Sequence, residues 1–385
     1  MNDEKTPGRR RSGLFIGRWF RIDFYLDSSW FLIAAIVTYQ LATAMFPAEL
    51  PSRSQAFYFV LGITAALLFF LSILLHELGH SLVSQRCGIP VPRITLLFIG
   101  GLAEISREPD DAKTELKIAL GGPAVSILLC VLFKLAQFAF AALGLPSLSL
   151  ICDWLAQTNL VLVIFNMIPG YPLDGGRVLR ALIWAKTGRL RRATFISSRI
   201  GIGFSWLLIF LGVWLLIGPA HAWNGFVFLL IGFFLKSAAD AGYANAVQRE
   251  VLAGIRVRDL MTANPAVIPD SLPLNLAVDD FFLAGHYVAY PVCAADGEFR
   301  GLLQLDFLKE VPREKWPYTT AGDVVAEKSS DALRIGVGES AARAMRLLLA
   351  PELSRLAVIE NGKLVGIVTR HDILNFIEIH TELED

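Results

Sequence analysis

Leu71-Ser72-Ile73-Leu74-Leu75-His76-Glu77-Leu78-Gly79-His80 sets two metal-ligand side chains and a carboxylate inside a run apolar enough to cross a membrane. On a helix, residues four apart share a face, so His76 and His80 can reach one metal ion. Glu77 projects beside them, where a carboxylate can take a proton from an attacking water. The surrounding apolar run, Ala56–Val83, is long enough at about 1.5 Å per residue to cross roughly 30 Å of hydrocarbon. Ionisable groups inside such a run are costly and mark function by default. The combination points to peptide hydrolysis inside a bilayer.

Composition agrees. The 385 residues are 54% hydrophobic and only 18% charged, with mean hydropathy +0.53. That describes a membrane protein with a soluble part attached. Charge is sparse from Trp30 to Leu235 outside the loops and ordinary from Gln248 to Asp385. The net formal charge of zero gives no argument for a nucleic-acid partner. Cys87, Cys130, Cys152 and Cys293 form no metal-ligand spacing, and no structural disulfide is expected. Arg9, Arg10, Arg11, Arg18 and Arg21 precede the first apolar run, which lacks a convincing cleavage site and reads as a retained anchor helix.

Six spans are expected, at about Ser29–Phe46, Ala56–Val83, Glu115–Leu143, Leu148–Ile168, Thr194–Ile217 and Trp223–Ala239. The segment before the first span is basic, as are Arg86–Lys117 and Arg177–Arg192, whereas the alternate loops are nearly free of Lys and Arg. The positive-inside rule then puts both termini in the cytoplasm, with His76 and His80 toward the cytoplasmic end of the second span. Ile89–Ser106 reads as a short strand pair with a Gly turn, Val91, Ile94, Leu96, Phe98 and Leu102 mixed with Pro90, Pro92, Gly100 and Gly101. Its edge, beside a metal site, could hold an extended peptide by strand addition.

Two histidines leave zinc short of the three protein ligands of a catalytic site. His221 lies in an outer loop, and His286, His371 and His380 belong to the soluble part, so the third ligand must be a carboxylate. Asp153 lies near the wrong end of its span. Asp174 follows the fourth span on the matching side, in Asn166-Met167-Ile168-Pro169-Gly170-Tyr171-Pro172-Leu173-Asp174-Gly175-Gly176. The Pro and Gly there suggest an unwound chain folding back toward the metal.

From Val251 the composition is soluble and carries a two-fold echo. Val257-Arg258-Asp259-Leu260-Met261 opens one unit and Ala321-Gly322-Asp323-Val324-Val325 the next, with closing strands Gly301-Leu302-Leu303-Gln304 and Gly366-Ile367-Val368-Thr369. Such self-similarity argues for two units packed as one module.

The pairing of His76-Glu77-Leu78-Gly79-His80 with Asn166…Pro172-Leu173-Asp174-Gly175-Gly176 resembles the site-2 protease family of intramembrane zinc metalloproteases. Gly121-Gly122-Pro123-Ala124 is similar to that family's third-span motif, and the resemblance covers roughly Arg10–Arg249. It implies one zinc held by His76, His80 and Asp174, Glu77 as the base, and Asn166 beside the site as an oxyanion donor. Asn159 is a weaker candidate for binding substrate. The implied substrate is a membrane-tethered, regulatory protein cut in or near its transmembrane segment.

The tail resembles a tandem CBS pair, a module that often binds ATP or another adenine nucleotide. In Gly366-Ile367-Val368-Thr369-Arg370-His371-Asp372, Thr369 and Asp372 occupy the nucleotide-contact positions; in the first unit Gln304 and Phe307 replace them. At most one nucleotide site is implied, and the module could also pair two protomers as a homodimer.

The expected fold is an α-helical polytopic membrane protein of about six transmembrane helices with a small membrane-associated β hairpin, plus a C-terminal α/β tandem CBS module. Its divisions are 1–28 as a cytoplasmic segment, 29–249 as the protease domain, and 250–316 and 317–385 as the CBS units. The expected location is the cell (inner) membrane, in contact with the lipid bilayer, the CBS module cytoplasmic. The alternative is a CBS-regulated metal or ion transporter using His76, His80 and Asp174 as a transit site; no inverted repeat supports it.

Overall fold

The computed structural model describes residues 13–97, 100–218, 222–285, 287–328, 333–350 and 353–384. Arg9, Arg10, Arg11, Phe98, His221 and His286, all read above, lie outside the described residues. The chain divides into two compact units, Met1–Tyr243 and Ala244–Asp385.

The first unit opens with strands β1 (Leu14–Trp19) and β2 (Ile22–Leu26). Helix α1 (Ser28–Glu49) follows, with a π-helical turn at Leu41–Met45, then α2 (Gln55–Arg86). Strands β3 (Arg93–Leu97) and β4 (Gly100–Glu104) lead into α3 (Ala112–Ala142) and α4 (Pro146–Asn166). The short α5 (Asp174–Thr187) precedes α6 (Leu190–Ile217) and α7 (Ala222–Val251). Among the described residues, α1, α2, α3, α4, α6 and α7 are long and apolar enough to cross a membrane. Caps set the starts: Ser54 Oγ accepts from Phe57 N–H at 3.2 Å to open α2, and Asp111 Oδ1 accepts from Thr114 N–H at 2.9 Å to open α3.

The strand pair expected at Ile89–Ser106 is β3 and β4, but it is half of a larger sheet of order β1-β2-β3-β4. β2 pairs parallel with β3, Asp23 opposite Arg93, and the other two pairings are antiparallel. The segment 1–28, expected to be only a basic lead-in, thus supplies two strands. Ile22 and Phe24 alternate inward and join Val91 and Ile94 in a core against Leu74 and Leu78 of α2. The turn between β1 and β2 carries Phe20 and Arg21, with none of the Asn-Gly chemistry that announces a hairpin.

α2 and α3 cross backbone against backbone. A Cβ built on Gly79 would lie 2.6 Å from the Gly121 carbonyl oxygen, and one on Gly121 would lie 2.8 Å from that of Gly79. Small residues at a helix crossing allow this approach, which carries the histidine face of α2 onto α3.

The second unit holds α8 (Val257–Leu260), β5 (Thr262–Ala263), β6 (Ile268–Pro269), α9 (Leu274–Ala277), β7 (Ala289–Cys293), β8 (Phe299–Gln304) and α10 (Leu305–Glu310). The echo follows as α11 (Ala321–Lys328), β9 (Arg334–Gly336), α12 (Ala341–Leu348), β10 (Arg355–Glu360), β11 (Lys363–Thr369) and α13 (Arg370–Glu384). The repeats exchange their openings. β5 pairs with β11, in the sheet β5-β11-β10-β9, and Val257 packs with Ile335, Met345 and Val368. Conversely, Ala321, Val324 and Val325 of α11 pack with Ile268, Leu274 and Tyr290 beneath the sheet β6-β7-β8.

Candidate metal centre

His76 and His80 lie one turn apart on α2, both buried, and Asp174 meets them from the first turn of α5. The unwound chain expected after Asn166 runs over 167–173. A new helix starts at Asp174, because Gly175 and Gly176 let it rest on the Met167 and Gly170 carbonyls, where a Cβ would collide. His76 Nε2 is 3.2 Å from Asp174 Oδ2, His80 Nε2 is 3.1 Å from the same oxygen, and the two Nε2 atoms are 3.2 Å apart.

The outer nitrogens decide what this triangle is. His80 Nδ1 has the Gly122 N–H at 3.3 Å and the Ile118 carbonyl oxygen at 2.7 Å; the closer oxygen can only accept, which assigns the proton to Nδ1. His76 Nδ1 is 2.9 Å from Ser126 Oγ. In the neutral imidazole, a proton on Nδ1 leaves Nε2 a bare acceptor. With His80 so fixed and Ser126 accepting from His76, two nitrogen lone pairs and a carboxylate oxygen face one another with no proton between them. Tetrahedral zinc with bonds of about 2.0 Å has ligand–ligand edges of roughly 3.3 Å, so the donor set fits it. These residues are the one such cluster of three metal-capable side chains among the described residues.

Glu77 turns toward the sheet, its side chain against the backbone of Gly101 in β4, where a Cβ would overlap it. Gly122 faces the centre of the triangle, and a Cβ there would strike Nε2 of both histidines. Glu115, Ile118, Gly122 and Ser126 follow one another at three- and four-residue steps along α3. They form a stripe behind His76 and His80. Buried Glu115 pairs with Arg180 of α5, whose Nε lies 2.7 Å from Glu115 Oε1, tying the helix that carries Asp174 to α3.

Asn166 is the last residue of α4, half-buried at the corner that leads to Asp174, and makes no hydrogen bond to the triangle. Asn159 is buried higher on α4; its amide donates to the Leu155 carbonyl at 2.8 Å, and its Oδ1 has no partner among the described residues. The missed residues are Ser126, the Ile118 carbonyl and the Glu115–Arg180 pair. Gly101 and Gly122 were singled out in the sequence, but not for their contacts with Glu77 and the two histidines.

In the second unit, Thr369 and Asp372 close the start of α13. Asp372 Oδ2 accepts from Thr369 N–H and Oγ1, both at 2.8 Å, and Asp372 N–H donates back to Thr369 Oγ1 at 3.2 Å. That is a reciprocal helix cap. Thr320 and Asp323 repeat it at the start of α11, where no nucleotide contact was expected.

A metal triangle walled by membrane-length helices, with a carboxylate one residue from a ligand, is the design of an intramembrane metalloprotease. The model of peptidase family M50 matches residues 64–147 and 141–210, and that of the CBS domain matches residues 321–379. The chain is 33% identical over 368 residues to the sll0528 protein of Synechocystis sp., covering 94% of this chain and 95% of that one. It is 30% identical over 324 residues to zinc metalloprotease MJ0392 of Methanocaldococcus jannaschii, covering 83% and 87%. The solved site-2 protease from M. jannaschii is 25% identical, with 60% of this chain and 95% of that one covered at a TM-score of 0.39. The chain belongs to peptidase family M50, the site-2 proteases, and is a membrane metalloprotease with a C-terminal CBS domain. Its relatives are metalloproteases, so the transporter alternative gives way.

Proposed function

We propose that this chain hydrolyses a peptide bond in or near the transmembrane segment of a membrane-tethered, regulatory protein, with one zinc held by His76, His80 and Asp174. The observation that carries the reading is the convergence of two imidazole lone pairs and a carboxylate oxygen within 3.2 Å. Zinc bound there would polarise the scissile carbonyl and make water usable as a nucleophile near neutral pH.

The chain's own residues do the rest. Ser126 Oγ and the Ile118 carbonyl hold the two rings in the ligand orientation. Glu77 takes the proton of the attacking water and returns it to the leaving amine. Asn166 donates to the developing oxyanion from the corner beside Asp174. β4 is an edge strand whose Gly101 lies against Glu77, so its outer edge suits an extended substrate added as a fifth strand. A helical peptide bond is shielded, and strand addition unwinds it where it is cut.

The basic loops support a topology with both termini and the CBS module in the cytoplasm, at a cell (inner) membrane. An adenine nucleotide at the Thr369–Asp372 corner would regulate cleavage, and the module would pair two protomers.

Zinc content of the purified protein tests the site. Wild type should hold about one tightly bound zinc, and Asp174→Ala and His76→Ala should lose it. Glu77→Gln should retain zinc and lose cleavage of a reconstituted substrate. Zinc unchanged in Asp174→Ala would break the assignment.

A further inference from the structure

The turn that joins β1 to β2 is built against its backbone preference. A two-residue hairpin loop with positive φ at both positions matches strand twist, and Asn-Gly or Asp-Gly supplies it at little cost. Here Phe20 has φ 53° and Arg21 φ 62°. Both carry a Cβ in the left-handed region, where it crowds the backbone. Such strain persists where the surroundings hold it and the side chains are used.

Those side chains point out. Leu14, Phe15 and Ile16 are 61%, 53% and 42% exposed, and Trp19 and Phe20 are 51% and 61%. Arg21 is exposed with no carboxylate partner among the described residues, and Arg18, though paired with Asp23 at 2.8 Å, is also exposed.

Two contacts fix the depth of this hairpin. Gln85 Nε2 donates to the Phe20 carbonyl at 3.1 Å, so the turn stands level with the end of α2 at Arg86. At the other end, Asp27 N–H donates to the Leu96 carbonyl at 2.9 Å while the Asp27 side chain caps α1. The hairpin therefore runs from the end of one membrane helix to the start of another, with β1 on its outer side.

We infer that the β1–β2 hairpin is a lipid anchor. Trp19, Phe20 and the β1 side chains lie in the glycerol and upper acyl region, and Arg18 and Arg21 meet the phosphates of anionic phospholipid on the Arg86 side of α2. Aromatic rings beside arginines are the residue set of a membrane–water interface. Consecutive strand residues point to opposite faces, so exposure of Leu14 and Phe15, both ahead of the register shift, means β1 is apolar on both sides. Lipid covers both faces of a strand at once, whereas a protein partner stacked on the sheet covers one. The register shift between Phe15 and Gly17 also breaks the outer hydrogen-bonding edge, making it a poor template for a strand from a second copy.

The test uses full-length protein in nanodiscs of phosphatidylcholine with and without phosphatidylglycerol. In a variant with Cys87, Cys130, Cys152 and Cys293 replaced by Ala, Ile16→Cys carries an environment-sensitive fluorophore. Quenching by spin-labelled lipid should exceed quenching by aqueous iodide by about threefold or more, as expected below the headgroups. Stronger quenching from water, or cross-linking between protomers through position 16, overturns the inference. A second arm needs no cysteine changes. Phe20→Asn with Arg21→Gly relaxes the turn, so Tm in neutral lipid should hold or rise, while the gain in Tm from phosphatidylglycerol should shrink. An undiminished gain overturns the arginine–phosphate contact.

Discussion

The corner at His76, His80 and Asp174 and the corner at Thr369 and Asp372 are both small polar clusters at a helix start, and their hydrogen-bond bookkeeping is opposite. At Thr369 and Asp372 every donor meets an acceptor, and the cluster is complete as a cap. At the first corner, with Ser126 accepting from His76, three acceptors face one another, and the imidazole protons point outward to Ser126 and Ile118. Buried acceptors without a donor are costly, so that cluster calls for a cation and the cap calls for nothing.

The sharpest break of this contrast is at the ligands. Asp174→Ala should take zinc from one per chain to none, and Glu77→Gln should keep zinc while cutting the cleavage rate by about 10²–10⁴-fold; metal analysis beside a cleavage assay reads both. Gly122→Ala should come next, its methyl driven into both Nε2 atoms and displacing metal, whereas Gly203→Ala, with open space around it, should leave zinc content unchanged. Ser126→Ala removes only the group that orients His76 and should weaken zinc affinity by about 10–100-fold, measured by chelator competition. At the satisfied corner, Thr369→Ala should cost about 1 kcal/mol of cap stability with zinc untouched, seen as a small drop in Tm. A nucleotide that protects wild type in the same melt but not Thr369→Ala would show that the cap also serves a ligand. The smallest effect is at Cys293, where burial, with Asp270 and Asp296 nearby, pushes the thiol up to about 11. Its thiolate fraction at pH 8 is about one in a thousand, so alkylation should be slow until the unit unfolds.

What was legible in the chain follows from where the constraint lies. His76, Glu77 and His80 could be read because helical spacing alone makes them neighbours, and Asp174 because depth in the membrane excluded its competitors. Ser126 could not. Ser72, Ser81 and Ser205 bond back to carbonyls four residues earlier in their own helices, and nothing in the sequence marks Ser126 as the one that reaches across to His76. β1 and β2 were hidden because Phe20 and Arg21 occupy a turn whose usual residues would have announced it. The repeat in the tail showed two units but could not show that each opens inside the other, since pairing of β5 with β11 is a long-range choice.

That exchange sets a clock. The partner of Thr262 in its sheet is Ile367, about a hundred residues further along the chain. At synthesis rates of about 5–20 residues per second, β5 waits roughly 5–20 seconds for a neighbour to be made. Through that interval the first repeat holds an unpaired strand and lends its opening helix to a core that does not yet exist. The sheet β5-β11-β10-β9 is thus completed only after the ribosome has all but finished, and a chain cut short anywhere before β11 would leave β5 unpaired.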